Sequence, residues 1–167
     1  MTTRLSCLLL LVLVGCRGEV DQRVDALAAA GITVKQNSAG EVFWIDTAGA
    51  SLDGHFWQSL SKFEHLEQLA LTGSPVDDED LPLLTSLHAL QNLDLSYTRV
   101  TPAGLRVLSR MNDLQTLSLN GVPLNHAAVE PLCQLTRLRS LSLMDCRLDA
   151  DGLATLQKAL PGCLVVQ

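Results

Sequence analysis

The chain has 167 residues, 47% of them hydrophobic and 18% charged, with a formal net charge of −6 at pH 7. That length and apolar content suit a single domain with a substantial core. The acidic balance argues against a generic nucleic-acid binder, which needs clustered Lys and Arg to meet phosphates, and the 4% aromatic content argues against a core packed around rings.

The first residues read as a targeting segment rather than as fold. Arg4 is followed by Leu5 to Val14, an apolar run broken only by Ser6 and Cys7. A bilayer-spanning helix takes about 20 apolar residues, so this run is too short to span and suits the apolar part of a secretory signal. It ends in Leu13-Val14-Gly15-Cys16, which resembles the lipobox of bacterial lipoproteins. The resemblance implies a signal peptide over residues 1–15, cleavage before Cys16, and a lipid on the Cys16 thiol. It implies an exported protein held in the cell envelope by an N-terminal lipid in the membrane. Arg17 stands where some bacteria place an Asp for inner-membrane retention, which leans the address toward the outer membrane. The alternative is an ordinary signal peptide with an incidental Cys16. Once Cys7 leaves and Cys16 is lipidated, Cys133, Cys146 and Cys163 remain, an odd number that gives no complete disulfide framework.

Residues 16–40 read as a cap. Val20 to Ala30 has helical spacing, with Val20, Val24, Leu27 and Ala28 on one side, and Gly31 is placed to stop it. Ile32-Thr33-Val34 alternates as a strand, Asn37-Ser38-Ala39-Gly40 turns, and Val42 to Ile45 returns as a second strand.

Residues 41–167 are periodic. Leu66-x-x-Leu69-x-Leu71 recurs as Leu90-x-x-Leu93-x-Leu95, Leu114-x-x-Leu117-x-Leu119 and Leu138-x-x-Leu141-x-Leu143, at one constant interval without an insertion. Val42, Ile45 and Thr47 fall in the same phase one repeat earlier, and Val165 falls one repeat after Leu141. A second apolar block with helical spacing follows each strand: Leu52, Trp57, Leu60 and Phe63, then Val76, Leu81, Leu84 and Leu87, then Val100, Leu105, Leu108 and Met111. Trp57 replaces a repeat leucine and reads as core. Between the blocks runs a column of Asp53, Asp77, Thr101, Asn125 and Asp149, all side chains that accept hydrogen bonds from free N–H groups at a helix start. Pro82 and Pro131 lie deeper in their segments and predict short or partly 3₁₀ pieces there.

A fixed period means that each unit buries its apolar side against its neighbours. The four phased LxxLxL copies resemble the leucine-rich repeat, whose units run to roughly 20–29 residues. The Gly31-Ile32-Thr33-Val34 strand, the turn, and then Thr101-Pro102-Ala103-Gly104-Leu105 and Asp149-Ala150-Asp151-Gly152-Leu153 make the chain similar to a group of short bacterial leucine-rich repeat proteins, many of them exported. The resemblance implies an α/β fold, a right-handed ribonuclease-inhibitor-like solenoid. In it a parallel concave sheet of five to six strands is backed by convex helices, behind the helix–hairpin cap. It also implies a recognition scaffold and says nothing about the target.

In L-x-x-L-x-L the leucines turn inward and the residues between them face the concave side. The candidate partner-binding set is therefore Trp44 and Asp46, then Gln68 and Thr72, then Asn92, Asp94 and Ser96 with Tyr97 at the rim. It continues with Thr116, Ser118 and Asn120, and ends with Ser140, Ser142 and Met144. A row of small polar groups with an aromatic anchor suits a protein or peptide ligand. The other reading is a structural module that self-associates through an uncapped C-terminal strand.

No pattern of catalytic, cofactor-binding or metal-binding residues is present. His55, His65, His88 and His126 are scattered, and Asp77-Asp78-Glu79-Asp80 lacks the alternation and glycine of a calcium loop. Asp46 and Asp94 lie two repeats apart, about 10 Å by strand spacing, which is long for paired-carboxylate chemistry. Cys146 and Thr98 share the repeat position at which such proteins bond the turn backbone.

Overall fold

The computed structural model describes residues 19–167; the expected signal peptide, lipobox and Cys16 lie outside the described residues. Helix α1 (Glu19–Ala29) ends at Gly31, whose φ of 81° is open to a residue without Cβ. The Gly31 N–H donates to Ala28 O and the Ile32 N–H to Leu27 O, the paired bonds that close a helix through a left-handed residue. Leu27 and Ile32 are both buried, so this stop also docks the helix on the core. Ala28, expected on the packed side, is exposed.

Strand β1 (Thr33–Gln36) turns back into β2 (Val42–Asp46) as an antiparallel hairpin. From β2 onward every pairing is parallel: β3 (Gln68–Ala70), β4 (Asn92–Asp94), β5 (Thr116–Ser118), β6 (Ser140–Ser142) and β7 (Leu164–Val166). The sheet has seven strands in sequence order, and each parallel step offsets the register by one repeat, as in Leu69↔Leu93 and Leu93↔Leu117. Six strands are therefore parallel, at the upper end of the expected number. Three-residue strands have little stability alone, so their persistence depends on what lies beneath them.

Beneath them is a column of leucines. Leu66, Leu69 and Leu71 and their equivalents in the next three repeats are all buried, most with no exposed surface. The degenerate first repeat shows how strictly the column excludes unsatisfied groups. Thr47 stands where the others have leucine, and it is fully buried. Its hydroxyl lies 2.6 Å from the buried Ser74 hydroxyl and 3.2 Å from Ala70 O. A buried hydroxyl without such partners would be costly, and no buried side-chain nitrogen or oxygen among the described residues lacks one.

The return segments are less regular. They comprise α2 (Gly54–Leu60), α3 (Leu81–Leu84), α4 (Pro102–Leu108), a 3₁₀ turn (His126–Ala128) running into α5 (Val129–Cys133), and α6 (Ala150–Ala159). Four of the five expected caps accept a helix-start N–H: Asp53 from Phe56, Thr101 from Ala103, Asn125 from Ala127 and Asp149 from Gly152. The Gly152 bond holds the Asp149 carboxyl below its ordinary value. Asp77 is the exception. Its carboxylate accepts from Glu79 N, while the helix starts only at Leu81 behind Asp80, and Pro82 leaves it four residues long. The short α3 and the 3₁₀ start before Pro131 match the expectation from the two prolines.

Two side-chain placements differ from the sequence reading. Phe56 is buried in α2 alongside Leu60, whereas Trp57 is half-buried and packs at the margin of the core, its ring edge-on to Phe56 at 5.0 Å. The Asp53 cap starts α2 at Gly54 and rotates Phe56 inward. Gly104 is buried because Asp78 crosses from the preceding repeat to accept from the Thr101 N–H at 2.8 Å and hydroxyl at 2.6 Å. A Cβ on Gly104 would sit 2.2 Å from that carboxylate.

Because the core is a single stack, truncation at its centre should be felt globally. Leu117→Ala should lower unfolding free energy by about 2–5 kcal/mol in a urea titration, whereas Leu83→Ala, at a position 46% exposed, should change it by less than about 0.5 kcal/mol.

Candidate binding face

On each strand the central residue points inward and its two neighbours lie half-exposed on the concave side, the pattern two-residue alternation dictates. Trp44, Asp46, Gln68, Thr72, Asn92, Asp94, Thr116, Ser118, Asn120, Ser140 and Ser142 are all partly accessible there, and Tyr97 and Met144 are 59% and 50% exposed at the rim. Trp44, Gln68, Ala70, Asn92, Asp94, Thr116 and Ser118 together line a shallow groove of about 140 Å³. Asp46, Thr72, Ser96, Tyr97, Asn120, Ser140, Ser142 and Met144 do not line that groove, so the structure gathers only Trp44, Gln68, Asn92, Asp94, Thr116 and Ser118 of the expected set there.

Trp44 is held in place from the cap side. Lys35 is its register partner on β1, and the Lys35 ammonium lies 4.1 Å from the ring centroid. That contact covers one face of the indole, which stands at one end of the groove. Asp46 and Asp94 each commit one carboxylate oxygen to their own turn, accepting from the Ala48 and Ser96 N–H groups at 2.8 Å.

Ser96 is a correction. The alternation places it on the exposed face, but it is 2% exposed. The strand ends at Asp94, so alternation no longer governs Ser96, and the turn draws it under the next repeat, where its hydroxyl accepts from Asn120 N at 3.2 Å. Asn120 in turn accepts from the Ser142 hydroxyl at 2.6 Å and from Met144 N at 2.9 Å. These residues tie repeats together, and the Asn120 carbonyl is already engaged.

The turn after each strand needs a left-handed residue: Gly49, Gly73 and Gly121 have φ of 74°, 67° and 68°. In that column Tyr97 has φ 58° and Asp145 φ 59°. A side chain there costs roughly 1–2 kcal/mol against glycine. The Tyr97 ring lies across Gly121, where a Cβ would meet it at 2.4 Å. Tyr97 therefore stands exposed at the rim of the concave side on a backbone conformation that glycine adopts at less cost.

Sequence reasoning missed two residues of this face. Leu164 and Val166 occupy the register positions of Ser140 and Ser142 on β7 and are 66% and 39% exposed. The phase of Val165 with Leu141 was the signal that could have placed them.

The remaining chemistry is structural. The Thr98 hydroxyl donates to Leu95 O at 2.6 Å and the Cys146 thiol to Leu119 O at 3.0 Å, the turn-bonding role expected of that column. Burial pushes the Cys146 thiol above its ordinary value, with backbone hydrogen bonds pulling it partly back; burial also raises Cys133 and Cys163. His65 lies 3.1 Å from Glu41 and His126 3.5 Å from Asp149, both pairs solvent-exposed. Among the described residues no cluster of three or more His, Cys, Asp or Glu side chains could hold a metal, and no helix is long and apolar enough to cross a membrane.

Residues 134–156 match a family profile described as Leucine Rich repeat. Among solved structures, Leiomodin-1 Actin-Binding Site 2 superposes with a TM-score of 0.58 at 15% identity, covering 88% of this chain and 90% of that one. A leucine-rich repeat protein of Leptospira interrogans superposes with a TM-score of 0.51 at 20% identity, covering 65% of this chain and 27% of that one. The chain folds as a leucine-rich repeat solenoid. An internalin of Listeria monocytogenes aligns at 19% identity with a TM-score of 0.45, over 65% of this chain and 36% of that one. The chain thus spans about a quarter of the length of the Leptospira protein, and comparison with curated proteins returns no match. At these identities the likeness concerns the solenoid alone.

Two measurements check the site. Tyr97→Gly should raise folding stability by up to about 1 kcal/mol, because the backbone strain is relieved while an exposed ring is lost. Cys146 alkylation in the folded protein should lag that of an unfolded control near neutral pH. Its rate should rise at a higher pH than in the unfolded control, because burial raises the thiol pKa and keeps it protonated where a free cysteine ionises.

Proposed function

We propose that the chain is a non-catalytic scaffold that binds a protein or peptide on its concave face, carried in the bacterial cell envelope by a lipid on Cys16. The observation that carries this reading is the groove. A rigid parallel sheet presents Gln68, Asn92, Asp94, Thr116 and Ser118 as adaptable hydrogen-bonding groups, closed at one end by the indole of Trp44. An aromatic anchor ringed by contacts that exclude water is the usual composition of a binding hot spot, and the polar groups here can hydrogen-bond a ligand that buries them. The ligand suited to it is an extended segment with backbone amides to offer and one apolar side chain for Trp44. The similarly folded Leiomodin-1 segment is itself named as an actin-binding site, which supports protein recognition as a use of this architecture. The lipid anchor rests on the lipobox-like Leu13-Val14-Gly15-Cys16 run.

The test is capture of a partner from envelope extract by the full chain. Trp44→Ala combined with Asp94→Lys should weaken capture at least tenfold, about 1.4 kcal/mol or more, with the circular dichroism unchanged; undiminished capture would overturn the concave-face reading. Metabolic labelling with a fatty acid should mark the wild-type chain and not Cys16→Ser, and an unlabelled wild type would remove the anchor.

A further inference from the structure

The concave face is a grid of two rows, because each parallel step keeps the register. One row is Trp44, Gln68, Asn92 and Thr116; the other is Asp46, Ala70, Asp94 and Ser118. In the second row Ala70 lies between two aspartates, one strand from each. Its methyl group is the smallest side chain of the eight, so it forms a low floor between two carboxylates. Ala70 and Asp94 line the groove, and Asp46 stands at its margin, two residues after Trp44 on the same side of β2.

Charge on this face is one-sided. From β2 to β6 the concave positions of the strands hold Asp46 and Asp94 among neutral side chains, with no cation. Lys35 on β1 brings a cation to the end of the face, where its ammonium lies over the Trp44 ring. Among the described residues neither aspartate is ion-paired. A groove with this balance favours a positive ligand group and disfavours a negative one.

The spacing selects among cations. Each carboxylate accepts from the N–H two residues on, Asp46 from Ala48 and Asp94 from Ser96, at 2.8 Å. Both therefore lean the same way along parallel strands, and their separation stays near two strand spacings, about 10 Å. A single ammonium nitrogen bonded to both would need their oxygens within about 6 Å of each other. A guanidinium spreads its donors over a planar fork, so it can turn one edge to Asp94 and another to Asp46 while lying over Ala70.

We infer that the groove recognises an arginine side chain of its protein or peptide ligand, seated over Ala70 between Asp46 and Asp94. This rests on the concave-face reading and names the residue type that face selects. Gln68 and Asn92, in the neighbouring row, can bond the ligand backbone beside the arginine. Alternate side chains of an extended segment fall on one face about 7 Å apart, the spacing between the two rows. An apolar residue two positions from the arginine therefore reaches Trp44.

The probe is a capped, fluorescently labelled hexapeptide, Thr-Leu-Ser-Arg-Ser-Thr, titrated with the full chain and followed by anisotropy. It should bind saturably. Its citrulline counterpart, which keeps the shape and loses the charge, should bind at least about tenfold more weakly, and its lysine counterpart at least about threefold more weakly. Asp46→Asn with Asp94→Asn keeps the oxygens that accept from Ala48 and Ser96, so the circular dichroism should not change. That variant should weaken the arginine peptide at least about tenfold and leave the citrulline peptide unaltered. Added salt should likewise weaken the arginine peptide alone. Trp44→Ala should weaken both peptides alike. Arginine and citrulline peptides that bind equally, both sensitive to Trp44→Ala, would overturn this inference while the concave-face reading stands. A lysine peptide as tight as the arginine one, undiminished arginine binding by the double Asn variant, or a probe that does not bind would each overturn it as well.

Discussion

The three-residue strands β3 to β6 are kept in place by the leucines under them packing on those of the neighbouring repeats. A repeat buries nothing by itself; its apolar side is covered only by neighbours on either side. The parallel register, offset by one whole repeat at each step, is the geometric expression of that packing, and it accounts for the tolerance shown elsewhere. Where a leucine is missing, at Thr47, a second hydroxyl from Ser74 has to appear beneath it. The column accepts a changed side chain only when its hydrogen bonds are met.

Away from that column the repeats are joined by polar contacts that differ from step to step. Asp78 reaches the start of α4 at Thr101, Gln91 bonds Gln115 at 3.0 Å, Arg137 pairs with Asp113, and Glu41 meets His65. Most are exposed or half-exposed and contribute little individually. Their variety lets the return segments change from a seven-residue helix to a four-residue one while the strand side keeps its spacing. From β2 onward the sheet pairs without a register shift, and the irregularity falls on the convex side.

That platform is not uniform along its length. It begins at an indole clamped by Lys35, passes through a polar groove, and ends in Met144, Leu164 and Val166. Tyr97 stands at its rim on a backbone that glycine would occupy more easily.

Periodicity alone determined the solenoid, the inward leucines, the helix-start caps and the concave alternation, because each depends on spacing along the chain and on nothing distant. The failures have a common cause. Ser96 lies two residues past the end of a strand, Phe56 is buried in place of Trp57 where the Asp53 cap set the helix phase, and Asp77 precedes a helix that starts only at Leu81. Each depends on where an element begins or stops, which is settled by contacts with the adjoining repeat. Only the tertiary structure could show that the Asp78 carboxylate crosses to Thr101 and requires Gly104, and that Lys35 covers Trp44. Those contacts join residues that spacing places in different repeats, and they exist only once the stack has closed.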